Sequence, residues 1–331
     1  MDRITPSTQD AYNWKFEQKE DEVIVTFPLP KTFNIHSIEA QLIEDNQSII
    51  VKAPNHIPFL AGNLEHEASK YNIDYKDEEN EVVLHIIKAV PETWHIVIKS
   101  TTLTTFEIDP KSAYLLAVLL QKEELPEELR VQLFRFLQMS CNAGYVPALI
   151  YFGSILLQNP ESESAGLSYL QIAAEGYQSA EAYYFLGVYL LDHQQKEQGY
   201  MLLEESLAKG FKGAAYVIGK ILSPLSEIDA GKPKDGKAAL EMLQQCENPE
   251  AKLEMARIYF QGCKEVPKDI GKANEIYKEA KELDPSLPPL EEIEVKQPTS
   301  TKKSKALVAI VAVSIVSLFG FLVYNQIRRH K

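Results

Sequence analysis

Cysteine is scarce in this sequence, and its scarcity argues against two classes of protein. The 331 residues contain only Cys141, Cys246 and Cys263. An odd number of cysteines, with no C-x-x-C pair and no nearby histidine cluster, indicates neither a disulfide framework nor a zinc site. We expect all three thiols to be small buried side chains in a reducing compartment.

Positive charge and an N-terminal apolar run are also lacking. The net charge is −13, which disfavours a nucleic acid as partner. The opening stretch "MDRITPSTQDAYNW" has no apolar core, so we expect no signal peptide and synthesis in the cytosol. Composition is otherwise that of a globular protein, with 45% hydrophobic and 24% charged residues.

No catalytic constellation can be assembled from the sequence. His85 and His95 lie in strand-like patterns without a second ligand or a nucleophile nearby, so both are interpreted as structural. We therefore expect no enzyme activity, no cofactor, no metal and no small-molecule substrate.

One stretch resembles a phosphate-binding loop but lacks its essential hydroxyl. "GKPKDGKAAL" at 231–240 has the spacing G-x-x-x-x-G-K, yet Ala238 stands where Ser or Thr should hold magnesium. The preceding segment carries two acidic residues and Pro224, so it is not a buried apolar strand. Because "PKDIGKA" at 267–273 repeats "PKDGKA" at 233–238, we interpret both as helix starts with Asp235 and Asp269 near the N-terminus.

The stretch "ALVAIVAVSIVSLFGFLVY" at 306–324 has no charged residue, and the uncharged stretch continues to Ile327. Nineteen residues span roughly 29 Å as a helix, which matches the hydrocarbon core of a bilayer. We therefore expect a single C-terminal transmembrane helix, because the layout resembles that of tail-anchored proteins. In those families a basic tail such as Arg328, Arg329 and Lys331 favours the mitochondrial-type outer membrane over the endoplasmic reticulum. The domains would then face the cytosol, on a linker at 284–305.

Four windows along the chain share a spacing of small residues five apart. The pairs are Ala148 and Gly153, Ala182 and Gly187, Ala214 and Gly219, and Ala251 and Ala256. A second glycine series opens another amphipathic run after each: Gly166, Gly199, Gly236 and Gly271. The period of 32 to 37 residues predicts a unit of two helices.

This pattern resembles the Sel-one-like repeat, a relative of the tetratricopeptide repeat, over residues 144–283. It departs from the family at Ala256, where Gly is usual. The resemblance implies an α-solenoid that binds peptides or protein segments. Tetratricopeptide co-chaperones grip an acidic chaperone C-terminus with Lys and Asn, and Lys220, Lys252 and Arg257 are the corresponding candidates here. The Asn partners are missing, so a solvated charged face is the alternative.

Residues 12–98 change to short runs rich in β-branched and aromatic residues. About seven strands with polar turns predict a β-sandwich. The motifs resemble a CS domain of the NudC-like branch, a family of co-chaperones that bind partner proteins. They are carried by Tyr12, Trp14, Pro58, Leu60, Gly62, Leu64 and Trp94. Tyr71 stands where the family has a tryptophan. Trp14 and Trp94 are core residues or, alternatively, binding anchors.

The predicted fold class is therefore multidomain: a β-sandwich, an α-solenoid of helix-pair repeats and a transmembrane helix. The expected ranges are 1–110 for the sandwich, which should fold alone, 111–143 for capping helices, 144–283 for repeats, 284–305 for a linker, 306–324 for the span and 325–331 for the basic tail. We expect a tail-anchored co-chaperone or adaptor that recruits chaperone or client proteins to an organelle surface. The alternative is a tether or assembly scaffold that uses both surfaces only for docking.

Overall fold

The chain, in a computed structural model, is described over residues 3–120 and 127–290. These residues form two compact units that divide between Tyr177 and Gln178.

The first unit opens with a 3-10 helix at Pro6–Asn13, followed by eight strands and four α-helices. The strands are β1 Lys15–Gln18, β2 Glu22–Pro28, β3 Glu39–Ile43, β4 Ser48–Lys52, β5 Leu60–Leu64, β6 Ala68–Lys76, β7 Glu81–Lys88 and β8 Ile98–Ser100. The helices are α1 Pro110–Leu120, α2 Glu127–Ala143, α3 Val146–Leu156 and α4 Glu163–Gln171, and a π-helical turn follows at Ile172–Gly176.

The eight strands form two antiparallel sheets of four. One has the order β1-β2-β7-β6 and the other β3-β4-β5-β8. Side chains on β2 alternate in burial, with Val23, Val25 and Phe27 fully buried between partly exposed neighbours. This period of two is what the β-branched runs predict for a sheet with one face on a core.

The last strand is shorter than its sequence pattern predicts. "WHIVIKS" suggests a strand over 94–100, but β8 begins only at Ile98. The reason lies in Glu65, whose carboxylate accepts the backbone N–H groups of His95 at 2.5 Å and Ile96 at 3.1 Å. A backbone whose donors are bonded to a side chain has none left there for a sheet ladder.

Helix α1 is joined to the first unit's sheets by buried polar groups. Asp109 is fully buried and accepts the N–H groups of Ala61 at 3.1 Å and Ser112 at 2.9 Å. The Lys111 ammonium lies 4.1 Å from the centroid of the Trp14 ring and donates to the Trp14 carbonyl oxygen. Burial raises the pKa of Asp109 to about 6 and lowers the pKa of Lys111 to about 7.

Lys111 should make the stability of the first unit depend on pH. The pKa of Lys111 is about 7 in the folded protein and 10.5 ordinarily. Between these two pH values the folded state therefore binds fewer protons than the unfolded state. Stability therefore rises with pH across that window. We expect Lys111→Met to remove this rise, on the order of 3 kcal/mol between pH 7 and 9.5.

Urea unfolding of both proteins at the two pH values measures the effect through tryptophan fluorescence, because Trp14 and Trp94 both lie in the first unit. Lys31→Met, at an exposed lysine, serves as the control. If wild type and Lys111→Met change in parallel with pH, the buried ammonium is not the source.

The N-terminal residues are held by the helices of the same unit. The Ile4 N–H donates to the Ala143 carbonyl at 2.8 Å, and the Tyr177 hydroxyl donates to the Ile4 carbonyl at 2.8 Å. The Gln9 amide donates to the Gly144 carbonyl at 2.7 Å. The first unit is thus closed by contacts between its two ends.

The second unit consists of three helix pairs within 178–290. They are α5 Ala180–Asp192 with α6 Lys196–Ala208, α7 Gly213–Leu222 with α8 Gly236–Leu243, and α9 Pro249–Gln261 with α10 Ile270–Leu283. With α3 and α4 of the first unit, they match the four predicted two-helix repeats. The paired glycines lie where the helices of a pair cross: a Cβ on Gly199 would lie 2.8 Å from the Gly187 carbonyl oxygen.

The stretch that resembles a phosphate loop is a helix start, as predicted. Asp235 is the N-cap of α8, and its carboxylate accepts the N–H groups of Lys237 at 2.9 Å and Ala238 at 3.0 Å. Asp269 caps α10 in the same way through Lys272 N–H at 2.9 Å. The N–H groups that a phosphate would need are therefore already bonded to a side chain.

Losing this cap should weaken the second unit. We expect Asp235→Ala to cost about 1 kcal/mol, because two amide donors lose their acceptor, and Asp235→Asn to cost less. Urea unfolding followed by circular dichroism at 222 nm measures the difference. Equal stability of the Ala variant and wild type would contradict the capping role.

The membrane-spanning part of the predicted fold class needs correction. The expected span at 306–324 and the targeting residues Arg328, Arg329 and Lys331 lie outside the described residues. Among the helices within 3–120 and 127–290, none combines the length and the apolar character needed to cross a bilayer. The described architecture is a sheet region followed by helical repeats, and the tail-anchored class and the organelle-membrane localisation are withdrawn.

Candidate protein-binding surface of the helical repeats

The first helices of the last two repeats differ from those of the first two repeats at two equivalent positions. Three residues after the first small residue of each repeat lie Tyr151, Phe185, Val217 and Glu254. Six residues after it lie Ser154, Val188, Lys220 and Arg257. Charged residues thus replace apolar or small ones on the first helices of the last two units, α7 and α9.

Glu254 is the centre of the resulting cluster. It is only 4% exposed. One carboxylate oxygen accepts the Ser223 hydroxyl at 2.8 Å. The other lies 3.9 Å from Lys220 Nζ and 3.9 Å from Arg257 Nη1. We call Lys220, Ser223, Glu254 and Arg257 the Glu254 cluster.

Two neighbouring groups report the electrostatics of this cluster. Burial, followed by the charges of Glu254 and Glu250, raises the pKa of the Tyr216 hydroxyl. Burial lowers the pKa of Lys234, whose ammonium donates to the carbonyls of Ile221 at 2.8 Å and Ile228 at 2.7 Å. Lys234 thereby satisfies backbone acceptors near the end of α7.

The Glu254 cluster has two cationic donors and one carboxylate acceptor. Within the described residues these two cations share one carboxylate, and both separations are too long for a hydrogen bond. Arg257 Nε is buried and has no hydrogen-bond partner in the described part of the chain. Both cationic side chains remain about a fifth exposed, at 21% and 23%. A carboxylate from another molecule would supply the missing acceptors.

The structure brings together two of the three cations predicted for partner binding. Lys252 is not in the cluster, because its ammonium pairs with Glu279 on α10 at 2.5 Å. The sequence prediction missed Glu254 and Ser223. A glutamate at a register position that is apolar in the other units was the available sign, since a carboxylate is rarely buried without partners.

The residues of the CS resemblance lie in and around the core of the first unit. Tyr12, Trp14, Leu60, Leu64 and Trp94 are at most 2% exposed, which confirms that both tryptophans are core residues. Pro58 is half-buried. Gly62 has a φ of +144°, and a Cβ there would lie 2.3 Å from Ile98 Cγ2, so only glycine fits.

The part of the chain that the structure describes contains no candidate metal site. No three His, Cys, Asp or Glu side chains there are grouped so that they could hold a metal ion. Cys141 and Cys246 are buried thiols, and burial raises their pKa to about 12 and about 11.

Comparison with solved structures finds several to which parts of this chain are similar, and three of them follow. The chain is 20% identical to a nuclear movement protein from E. cuniculi GB-M1, covering 26% of this chain and 98% of that one, with a TM-score of 0.22. It is 18% identical to a Sel1 repeat protein from Oxalobacter formigenes, covering 54% and 73%, with a TM-score of 0.44. No family model and no curated protein matches the chain.

The third neighbour is c5321, a protective antigen of uropathogenic Escherichia coli with an SLR fold. It is 14% identical, with a TM-score of 0.40, and the match covers 67% of this chain and 49% of that one. Two of the three are described as a Sel1 repeat protein and as a protein with an SLR fold, the repeat class that this sequence resembles. At these identities and TM-scores, none of the three structures carries a statement about this chain.

Proposed function

We propose that this protein is a protein-binding scaffold whose helical repeats hold an acidic segment of a partner. The observation that carries the proposal is the Glu254 cluster, in which Lys220 and Arg257 share one buried carboxylate. Both cationic side chains are about a fifth exposed, so a carboxylate of a partner can reach them.

The finer proposal is a co-chaperone or adaptor that recruits a chaperone or its clients. It rests on the CS-like motifs of the first unit and on an acidic chaperone C-terminus as the segment held by the repeats. The alternative is a docking scaffold without chaperone activity. Suppression of client aggregation by the full chain, in a light-scattering assay, separates the two.

A labelled peptide with an acidic C-terminus tests the binding surface directly. Fluorescence anisotropy of the full chain should show binding that weakens as salt is raised, because the contacts are charged. We expect the double variant Lys220→Ala with Arg257→Ala to bind about tenfold more weakly, which corresponds to about 1.4 kcal/mol.

Two further variants distinguish binding from folding. Lys252→Ala removes a cation from the same helix, but one that pairs with Glu279, so affinity should stay within about twofold. Glu254→Gln removes the competing carboxylate and keeps an oxygen for Ser223, so affinity should rise several-fold. If Glu254→Gln weakens binding, or Lys252→Ala weakens it as much as the double variant, the cluster is not the site.

A further inference from the structure

A polar pocket in the first unit has no role in the proposed repeat surface. Its lining comes from the turn before β4, the end of β5 with the residues that follow it, the segment after β7, and β8. The polar lining residues are Gln47, Asn63, Glu65, His66, Glu67, Glu92 and Lys99. Its volume of about 350 Å³ is enough for a long side chain.

Asn63 is the buried member of this lining. It is 7% exposed, and its side-chain oxygen Oδ1 is buried and accepts no hydrogen bond from any residue that the structure describes. Buried polar atoms are satisfied in most folded proteins, and leaving one unpaired costs about 1–3 kcal/mol. An acceptor without a donor at a pocket therefore points to a ligand that donates.

The charge of the lining has the same implication. Three carboxylates, from Glu65, Glu67 and Glu92, face the single ammonium of Lys99, and His66 pairs with Glu92 at 2.6 Å. The lining stays negative even with His66 protonated. Glu65 is already bonded by the backbone N–H groups of His95 and Ile96, so Glu67 and Glu92 are the carboxylates at the rim, both exposed.

We propose that this pocket binds an arginine side chain of a partner protein. A guanidinium offers five N–H donors and a charge that cannot be lost, which suits one amide acceptor beside two carboxylates. The pocket goes beyond the proposed repeat surface, since it selects a basic group in the first unit whereas the Glu254 cluster selects an acidic one in the second.

N-Acetylarginine amide is a direct probe, with N-acetylcitrulline amide as the neutral isostere. In full-length protein labelled with ¹⁵N-asparagine, the arginine compound should shift the Asn63 amide resonances with a Kd of roughly 1–10 mM, as expected for one side chain. The citrulline compound should bind at least about fivefold more weakly, because it lacks the charge and has a carbonyl oxygen in place of one NH₂ group.

Variants at the rim complete the test. Glu67→Gln with Glu92→Gln should weaken binding of the arginine compound at least about fivefold. Glu78→Gln, an exposed glutamate in the turn before β7, should leave binding unchanged. Absence of any Asn63 shift up to about 50 mM, equal shifts by both compounds, or full affinity in the rim variant would each overturn the proposal.

Discussion

Gly199→Ala is expected to lower the unfolding free energy of the second unit by about 1–3 kcal/mol, the usual cost of an added methyl group in a packed interior. The new Cβ would lie 2.8 Å from the Gly187 carbonyl oxygen and 2.9 Å from both Leu191 Cγ and Leu191 N. Two of these three atoms belong to the backbone, so relief requires α5 and α6 to separate. The gain in helix propensity, up to about 1 kcal/mol, offsets only part of the cost.

The equivalent glycine of the last repeat provides the matched control. A Cβ on Gly271 would meet only Asp269 Oδ1, at an ordinary 3.5 Å. In that repeat Ala256 stands where the others have glycine, so the two helices do not meet glycine on glycine. We therefore expect Gly271→Ala to be neutral or stabilising by up to about 1 kcal/mol.

Urea unfolding followed by circular dichroism at 222 nm measures both variants. Tryptophan fluorescence follows the first unit separately, because the second unit contains no tryptophan. If both alanine variants lose equal stability, close helix crossing does not explain the glycine pattern.

A chain ending at residue 110 is expected to lose cooperative unfolding, whereas a chain ending at 177 should keep it. The shorter chain lacks Lys111 over Trp14 and the Ser140 hydroxyl that donates to the Pro110 carbonyl at 2.7 Å. It also lacks the Ala143 carbonyl that accepts from Ile4. The shorter chain also loses the apolar contacts of α1, whose side chains Ala113, Leu116 and Ala117 are buried.

Thermal unfolding followed by tryptophan fluorescence compares the two fragments with the full chain. A cooperative transition in the 1–110 fragment, at the temperature shown by the 1–177 fragment, would restore the sequence expectation that the sandwich folds alone. A sharp transition only in the longer fragment would support the division between Tyr177 and Gln178.

Strands and helix starts could be predicted from the sequence where they depend only on residues close together in the chain. The alternation in β2 and the repeated "PKD" before a helix predicted a strand and two capped helix starts, and the structure has all three. The late start of β8 was not predictable, since it depends on Glu65, thirty residues earlier in the chain. Backbone bonds to a distant side chain leave no trace in a local pattern.

The candidate site was predictable in part for the same reason. Lys220 and Arg257 could be placed on first helices by the spacing of small residues, but their shared partner Glu254 required three-dimensional contact between α7 and α9. Lys252 is a cation on α9, as Arg257 is, but its ammonium pairs with Glu279 and not with Glu254. The membrane prediction is withdrawn: its span at 306–324 lies outside the described residues, and none of the described helices is long and apolar enough to cross a bilayer.

The contacts that close the first unit also set the order of events during synthesis. Ile4 bonds to Ala143 and Tyr177, so its two partners are synthesised well over a hundred residues after it. At about 5–20 residues per second, roughly 10–35 s separate the two ends. Until Ala143 is made, Ile4 lacks both of these backbone partners, and nascent chains arrested before residue 143 should therefore expose the residues around Ile4 to proteases.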